Sequence, residues 1–154
     1  MTLDKIDRNI LRELQKNGRI SNVALAEKVG LSPTPCIERV KRLEKKGVIK
    51  SYTALIDPKY LDASLLVYVE IKLNRSSADV FERFNAAANQ LDNILECHMV
   101  SGDFDYLVKT RVADMSAYRK VLSQTLLALP DIKDSRTYVV MEEVKYLTSI
   151  NIPS

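Results

Sequence analysis

Apolar residues recur every three or four positions through the first fifty residues, then alternate, then return twice to helical spacing between alternating runs. The first helical period covers Asp4–Lys16, with Ile6, Ile10, Leu11 and Leu14 on one face. Asp4 and Asp7 sit at the end where the helix dipole favours carboxylates, and Asn17-Gly18 stops the helix. Ser21 is placed to cap a short helix, Asn22–Val29, with Val23, Leu25, Ala26 and Val29 turned inward and Gly30 ending it. Leu31 leads directly to a third helix within Ser32–Gly47, where it can staple onto Cys36 or Ile37.

That third stretch, SPTPCIERVKRLEKKG, has Ser32 as N-cap, Pro33 where a missing N–H costs nothing, Pro35 still in the first turn, and Gly47 as terminator. At about 100° per residue, Cys36, Ile37, Val40 and Leu43 form an apolar stripe. Thr34, Glu38, Arg39, Lys41, Arg42, Lys45 and Lys46 occupy the other side. In isolation this is an amphipathic helix with a solvated basic face. The short Gly-first link before it makes a helix-turn-helix, whose second helix enters the major groove. Val48–Ile56 is β-branched and aromatic and reads as a strand, which would make the unit a winged helix-turn-helix. Asp57-Pro58 breaks that strand.

Beyond the connector the pattern becomes strand, helix, strand, strand, helix, strand. Leu65–Leu73 alternates, with Val67, Val69, Ile71 and Leu73 on one face. Ala78–Leu91 is a helix capped by Ser77, and Ile94–Val100 and Asp105–Val112 form a hairpin. Ala117–Leu129 is a helix capped by Ser116, with Tyr118, Leu122, Thr125, Leu126 and Leu129 inward; Ser135–Val144 is the last strand. The order β-α-β-β-α-β is ferredoxin-like. Two helices cover one sheet face, and the other is expected to be apolar and open to self-association. The predicted class is therefore α+β, with a DNA-binding domain over 1–50, a strand-bearing linker over 51–63 and a second domain over 64–154.

Composition narrows the setting. Hydrophobic content is 46%, ordinary for a chain with a real core, and no apolar run approaches the ~20 residues that span a membrane. The N-terminus carries charges inside its first apolar pattern, unlike a secretory signal. Cys36 and Cys97 fall in different domains, so a disulfide framework is not expected and a reducing cytoplasm is the default. The net charge of +3 is unevenly placed: residues 1–62 hold 13 Lys/Arg against 8 Asp/Glu, and residues 63–154 hold 10 against 12. The basic front suggests a polyanionic partner.

The groove-facing candidates are Thr34, Pro35, Glu38, Arg39 and Arg42, and Ser32 and Lys41 complete the DNA-binding set. Arg can fork onto guanine, Glu can accept from cytosine, Thr can touch a thymine methyl, and Lys41 suits phosphate. The one histidine, His98, shares a strand face with Glu96 and is read as structural, since no metal-ligand spacing accompanies it. No nucleophile elbow, P-loop or dinucleotide fingerprint occurs, so neither cofactor nor metal is expected. Asp103 and Asp105 share one turn; they could receive a ligand ammonium while backbone N–H groups take its carboxylate, or they could form an ordinary polar turn.

The runs IDRNILRELQKNGRIS, VGLSPTPCIERVKRLEKKGVI, YTALIDPKYL, SGDFDYLVKTRV and RTYVVMEEVK, in that order, resemble the Lrp/AsnC family over nearly the whole chain. The resemblance implies a winged helix-turn-helix joined to a ferredoxin-like effector (RAM) domain. It also implies dimers that pair through these domains and their linker strands and assemble into octamers, with an amino acid bound between dimers. Carried onto this sequence, it places the DNA-reading segment at Ser32–Arg42. The effector site falls at Ser101, Gly102, Asp103 and Asp105, with Met99, Met115, Thr137, Tyr138 and Val139 contributing. The Met- and Val-rich lining favours leucine first and methionine second. The expected function is a non-enzymatic, cytoplasmic, nucleoid-associated transcriptional regulator that binds double-stranded DNA. One alternative is an architectural protein that wraps DNA with little sequence preference. The other is a metabolic enzyme using the Asp103/Asp105 turn. Beside some family members, this chain is expected to lack a longer basic N-terminal tail.

Overall fold

A computed structural model describes residues 2–75 and 77–153 and all their side chains but that of Thr125, so the inward position expected of Thr125 lies outside the described residues. The chain folds as two units, one of Met1–Leu55 with Lys145–Ser154 and one of Ile56–Val144. The last ten residues, expected in the second domain, belong to the first unit.

In the first unit, α1 (Lys5–Lys16) starts at a reciprocal cap: Asp4 Oδ1 accepts from Asp7 N at 2.8 Å, and Asp7 Oδ2 accepts from Asp4 N at 3.4 Å. In α2 (Asn22–Val29), Ser21 Oγ accepts from Ala24 N at 3.2 Å, and Gly30 ends the helix at φ 72°. The third helix, α3 (Pro33–Lys45), ends in a Schellman turn: Gly47 lies at φ 68°, Gly47 N donates to Glu44 O and Val48 N to Leu43 O, both at 2.9 Å. Ile10, Leu25, Ala26, Val29, Cys36, Val40 and Leu43 are buried together.

Three expectations for this unit are corrected. Ser32 is the N-cap residue of α3, but its hydroxyl makes no capping bond. The cap normally receives the N2 or N3 amide, and Pro35 removes the N3 donor. Val23 is 65% exposed, because it lies on the far side of α2 from Leu25. Val48–Ile56 forms no strand. A strand needs a neighbour for its amides and carbonyls, and among the described residues none pairs with this segment.

The second unit is a sheet of β1 (Leu65–Leu73), β2 (Glu96–Met99), β3 (Tyr106–Val112) and β4 (Ile132–Val139), antiparallel throughout in the order β2-β3-β1-β4. The helices are α4 (Ala78–Ala88) and α5 (Met115–Val121), the latter continued by a π turn over Leu122–Leu126. Val67, Val69, Ile71, Val80, Phe84, Tyr106, Val108, Tyr118 and Leu126 form its core, with the Phe84 and Tyr106 rings stacked at 4.2 Å. Asp114, rather than Ser116, caps α5 by accepting from Ala117 N at 2.8 Å. Ser77 sits at the N-cap of α4 with its hydroxyl bonded to Asp79 instead of the backbone, and α4 stops at Ala88 rather than Leu91. The last strand is Ile132–Val139 instead of Ser135–Val144, because β1, its one neighbour among the described residues, runs out near Leu65.

The helix-free sheet face is not the bare apolar surface expected. Directly paired residues share a face, which places Glu70 beside Arg136, Lys72 beside Asp134 and Glu96 beside Lys109 there. Lys109 Nζ reaches Glu96 Oε1 at 2.6 Å, and Arg111 Nη2 bonds both oxygens of Glu143 at 2.6 and 2.7 Å. The exposed Tyr138 and the half-buried Tyr68 and Leu107 share that face, and further exposed large apolar residues lie on the linker (Tyr52, Leu55, Ile56, Tyr60, Leu61) and after β4 (Met141, Val144, Tyr146, Leu147, Ile150).

Candidate nucleic-acid interface and effector turn

The apolar stripe of α3 packs inward, so its remaining surface is set by what lies between and beyond Cys36, Val40 and Leu43. Ser32, Thr34, Glu38 and Lys41 are exposed and Pro35 is half-buried. These give a hydroxyl, a methyl, a carboxylate and an ammonium on one helix, the groups that base edges and phosphates can use.

Arg39 and Arg42 are already engaged. Arg39 Nη1 donates to Asp4 Oδ2 at 2.6 Å and Asp7 Oδ1 at 2.9 Å. Arg42 Nη2 donates to both Asp7 oxygens at 2.7 and 2.8 Å. The Asp7 side chain is only 2% exposed, against 27% for Arg39 and 46% for Arg42. Donation from the Asp7 backbone N–H, followed by the Arg39 contact, holds the Asp4 carboxyl below its ordinary range. Sequence reasoning treated Asp4 and Asp7 only as charges at a helix start. Their i, i+3 spacing, repeated by Arg39 and Arg42, was the available signal.

The C-terminal segment docks on the outer side of α1. Gln15 pairs its amide with the backbone of Ile150, donating to O at 3.0 Å and accepting from N at 2.8 Å. Arg12 donates to Ile152 O at 3.2 Å and Pro153 O at 2.6 Å. No sequence pattern announced this contact.

In the second unit the expected effector residues fall into two groups. Met99 ends β2 and is half exposed; Ser101, Gly102 and Asp103 are exposed in the turn that follows. Asp105 joins them with its carboxylate committed: Oδ2 accepts from Leu73 N at 2.8 Å, and its own N–H donates to Ile71 O at 2.9 Å. Asp103 and Phe104 border a cleft of about 210 Å³ with Glu70, Lys72, Asp134, Ser135 and Arg136. Thr137 lies beside the middle of β1, and Tyr138, Val139 and Met115 follow toward its Leu65 end. Thr137–Val139 pair with Val69–Val67, whereas the turn adjoins the Ile71 end of β1. Sequence reasoning assigned Tyr118 to the core, where it is, but missed that its hydroxyl meets Thr137 Oγ1 at 2.6 Å. Burial pushes the Tyr118 phenol up. His98 is on the exposed edge strand, 3.3 Å from Glu96. Both cysteines are free thiols, raised by burial. Among the described residues no group of three His, Cys, Asp or Glu could hold a metal, and no helix is long and apolar enough to cross a membrane.

Comparison with known proteins agrees with this division. Residues 3–50 match the family of winged helix-turn-helix DNA-binding domains, and residues 66–150 match the Lrp/AsnC ligand binding domain. The leucine-responsive regulatory protein of Salmonella typhimurium is 72% identical over 143 residues, 93% of this chain and 87% of that one. Its Escherichia coli K12 counterpart is 71% identical over the same shares. A Neisseria meningitidis transcriptional regulator solved with L-methionine is 37% identical, with a TM-score of 0.90 over 97% of both chains. These relatives are regulators rather than enzymes. The chain belongs to the Lrp/AsnC family of amino-acid-responsive, DNA-binding transcriptional regulators.

Proposed function

We propose that this regulator senses leucine, with methionine as the second choice, at a site completed between copies of the chain, and that occupancy changes assembly and DNA affinity. The supporting observation is the division of the effector residues. The 99–105 turn adjoins the Ile71 end of β1, whereas Met115 and Val139 lie toward its Leu65 end, and this separation supports a pocket completed by a second copy. Names of relatives favour the ligands: two are leucine-responsive regulators and one was solved with L-methionine. The unpaired, apolar Val48–Ile56 segment supports dimers that pair linker strands, and the exposed apolar residues after β4 support further assembly to an octamer. DNA is read by α3 through Ser32, Thr34, Pro35, Glu38 and Lys41, with Arg39 and Arg42 at the edge of that surface, in the cytoplasm at the nucleoid.

A thermal-shift screen of the twenty amino acids, followed by sedimentation with the best hit, tests this reading. Leucine is expected to raise Tm most and to move the sedimentation coefficient. A leucine-blind melting curve removes the effector assignment; a bound ligand with unchanged assembly removes the site between copies. An operator-to-random affinity ratio near one at fixed salt favours the architectural alternative.

A further inference from the structure

We propose that Asp7 is a positioning residue for DNA recognition: its buried carboxylate holds Arg39 and Arg42 against α1, so that these arginines orient α3 rather than read bases. The proposal rests on the DNA-binding reading of α3 given above. Asp7 is 2% exposed at its side chain and receives three guanidinium contacts, at 2.9, 2.7 and 2.8 Å. Asp4 takes a fourth from Arg39 at 2.6 Å. Two carboxylates at i, i+3, the N-cap and the first turn of α1, thus face two guanidiniums at i, i+3 on α3, making a two-rung ladder.

The apolar stripe of α3 cannot do this work alone. Hydrophobic contact is non-directional, and a modest roll of the helix would keep Cys36, Val40 and Leu43 buried. Charge-assisted hydrogen bonds are directional, and two rungs fix both the roll and the sliding of α3 on α1. The same contacts lower the value of these arginines to DNA. A guanidinium seated on a buried carboxylate carries less net charge outward, and leaving it for phosphate would strip Asp7 of part of its charge compensation in the interior. Thr34, Glu38 and Lys41 remain free to face the duplex, aimed by the ladder behind them.

A double-mutant cycle on the full chain tests this, with Asp7→Asn, Arg42→Gln and the pair read by titration of specific and random duplexes across a salt series. The wild type is expected to prefer the specific duplex: failure to bind either duplex removes the DNA-binding reading itself, whereas equal binding to both favours the architectural alternative and overturns the proposal, since α3 then reads nothing for the ladder to orient. With that preference in hand, each single variant is expected to weaken specific binding on the order of ten-fold, and the pair by about the same factor rather than its square. Random-duplex affinity and the salt slope should stay put, because no phosphate contact is lost. Two further results overturn the proposal. One is Arg42→Gln lowering the salt slope by about one and weakening random DNA equally. The other is Asp7→Asn tightening binding by releasing both arginines. Should Asp7→Asn melt below the assay temperature, the cycle on Asp4→Asn and Arg39→Gln, at the more exposed rung, decides by the same outcomes.

Discussion

Tyr52 shows how one side chain can carry a pH signature without a catalytic role. Its hydroxyl donates to Glu44 Oε1 at 2.9 Å and its ring lies 3.5 Å from the position of a Cβ on Gly18. Desolvation first, and the Glu44 carboxylate second, push the phenol up to about 12. A raised folded pKa means stability fully present below the ordinary tyrosine value near 10 and lost as pH climbs from there toward about 12. Burial also raises Tyr106 and Tyr118, so spectrophotometric titration of the wild type and Tyr52→Phe is compared: the late-titrating absorbance is expected to fall by one tyrosine in the variant, and an unchanged late step would assign it elsewhere. Asp105 calls for a different choice of substitution. Because its carboxylate accepts from Leu73 N, Asp105→Ala orphans an amide and is expected to cost the sensor unit about 1–3 kcal/mol. Asp105→Asn keeps an acceptor and should retain stability while losing the amino-acid response. A normal ligand isotherm for Asp105→Asn takes the carboxylate out of the site.

At the level of elements, the two ends of α3 are held differently. Its C-terminal end depends on Gly47 at φ 68°, where a Cβ meets nothing within 4 Å but the backbone conformation itself disfavours one. Gly47→Ala is therefore expected to cost about 1 kcal/mol in chemical denaturation. Ser32→Ala should change stability by well under 0.5 kcal/mol, since the hydroxyl makes no cap bond. A loss for Ser32→Ala as large as that for Gly47→Ala would contradict the open hydroxyl. Much of this architecture was legible in the chain: β1 was bounded at Leu65–Leu73 by alternation alone, and α2 by its cap and Gly30. What was not legible depends on neighbours far along the chain. The end of β4 is set by where β1 stops, and the absence of a strand at Val48–Ile56 by the lack of a partner. The engagement of Arg39 and Arg42 belongs to the same class. Their charge was visible in the sequence, but their distance to Asp7 was not.

At the scale of the whole molecule, control of DNA affinity is a matter of linkage. The proposed effector residues belong to the unit of Ile56–Val144, and α3 to the other. An amino acid can thus act on DNA only through its unequal affinity for two arrangements of the protein. If those arrangements are assembly states, the number of DNA-reading helices presented together changes while each helix keeps its own contacts, and avidity changes with it. This gives a discriminating expectation. Leucine should alter affinity for a duplex carrying several sites by the 5–150-fold typical of allosteric coupling, yet alter affinity for a single-site duplex by less than about two-fold. Reciprocity requires that the multi-site duplex change leucine affinity by the same factor, which calorimetry at matched salt can measure. An equal leucine effect on single-site and multi-site duplexes would place the switch within the DNA-binding unit of each chain instead. The tail would then be the first place to look, since its hydrogen bonds to Gln15 and Arg12 attach the segment that follows β4 to α1.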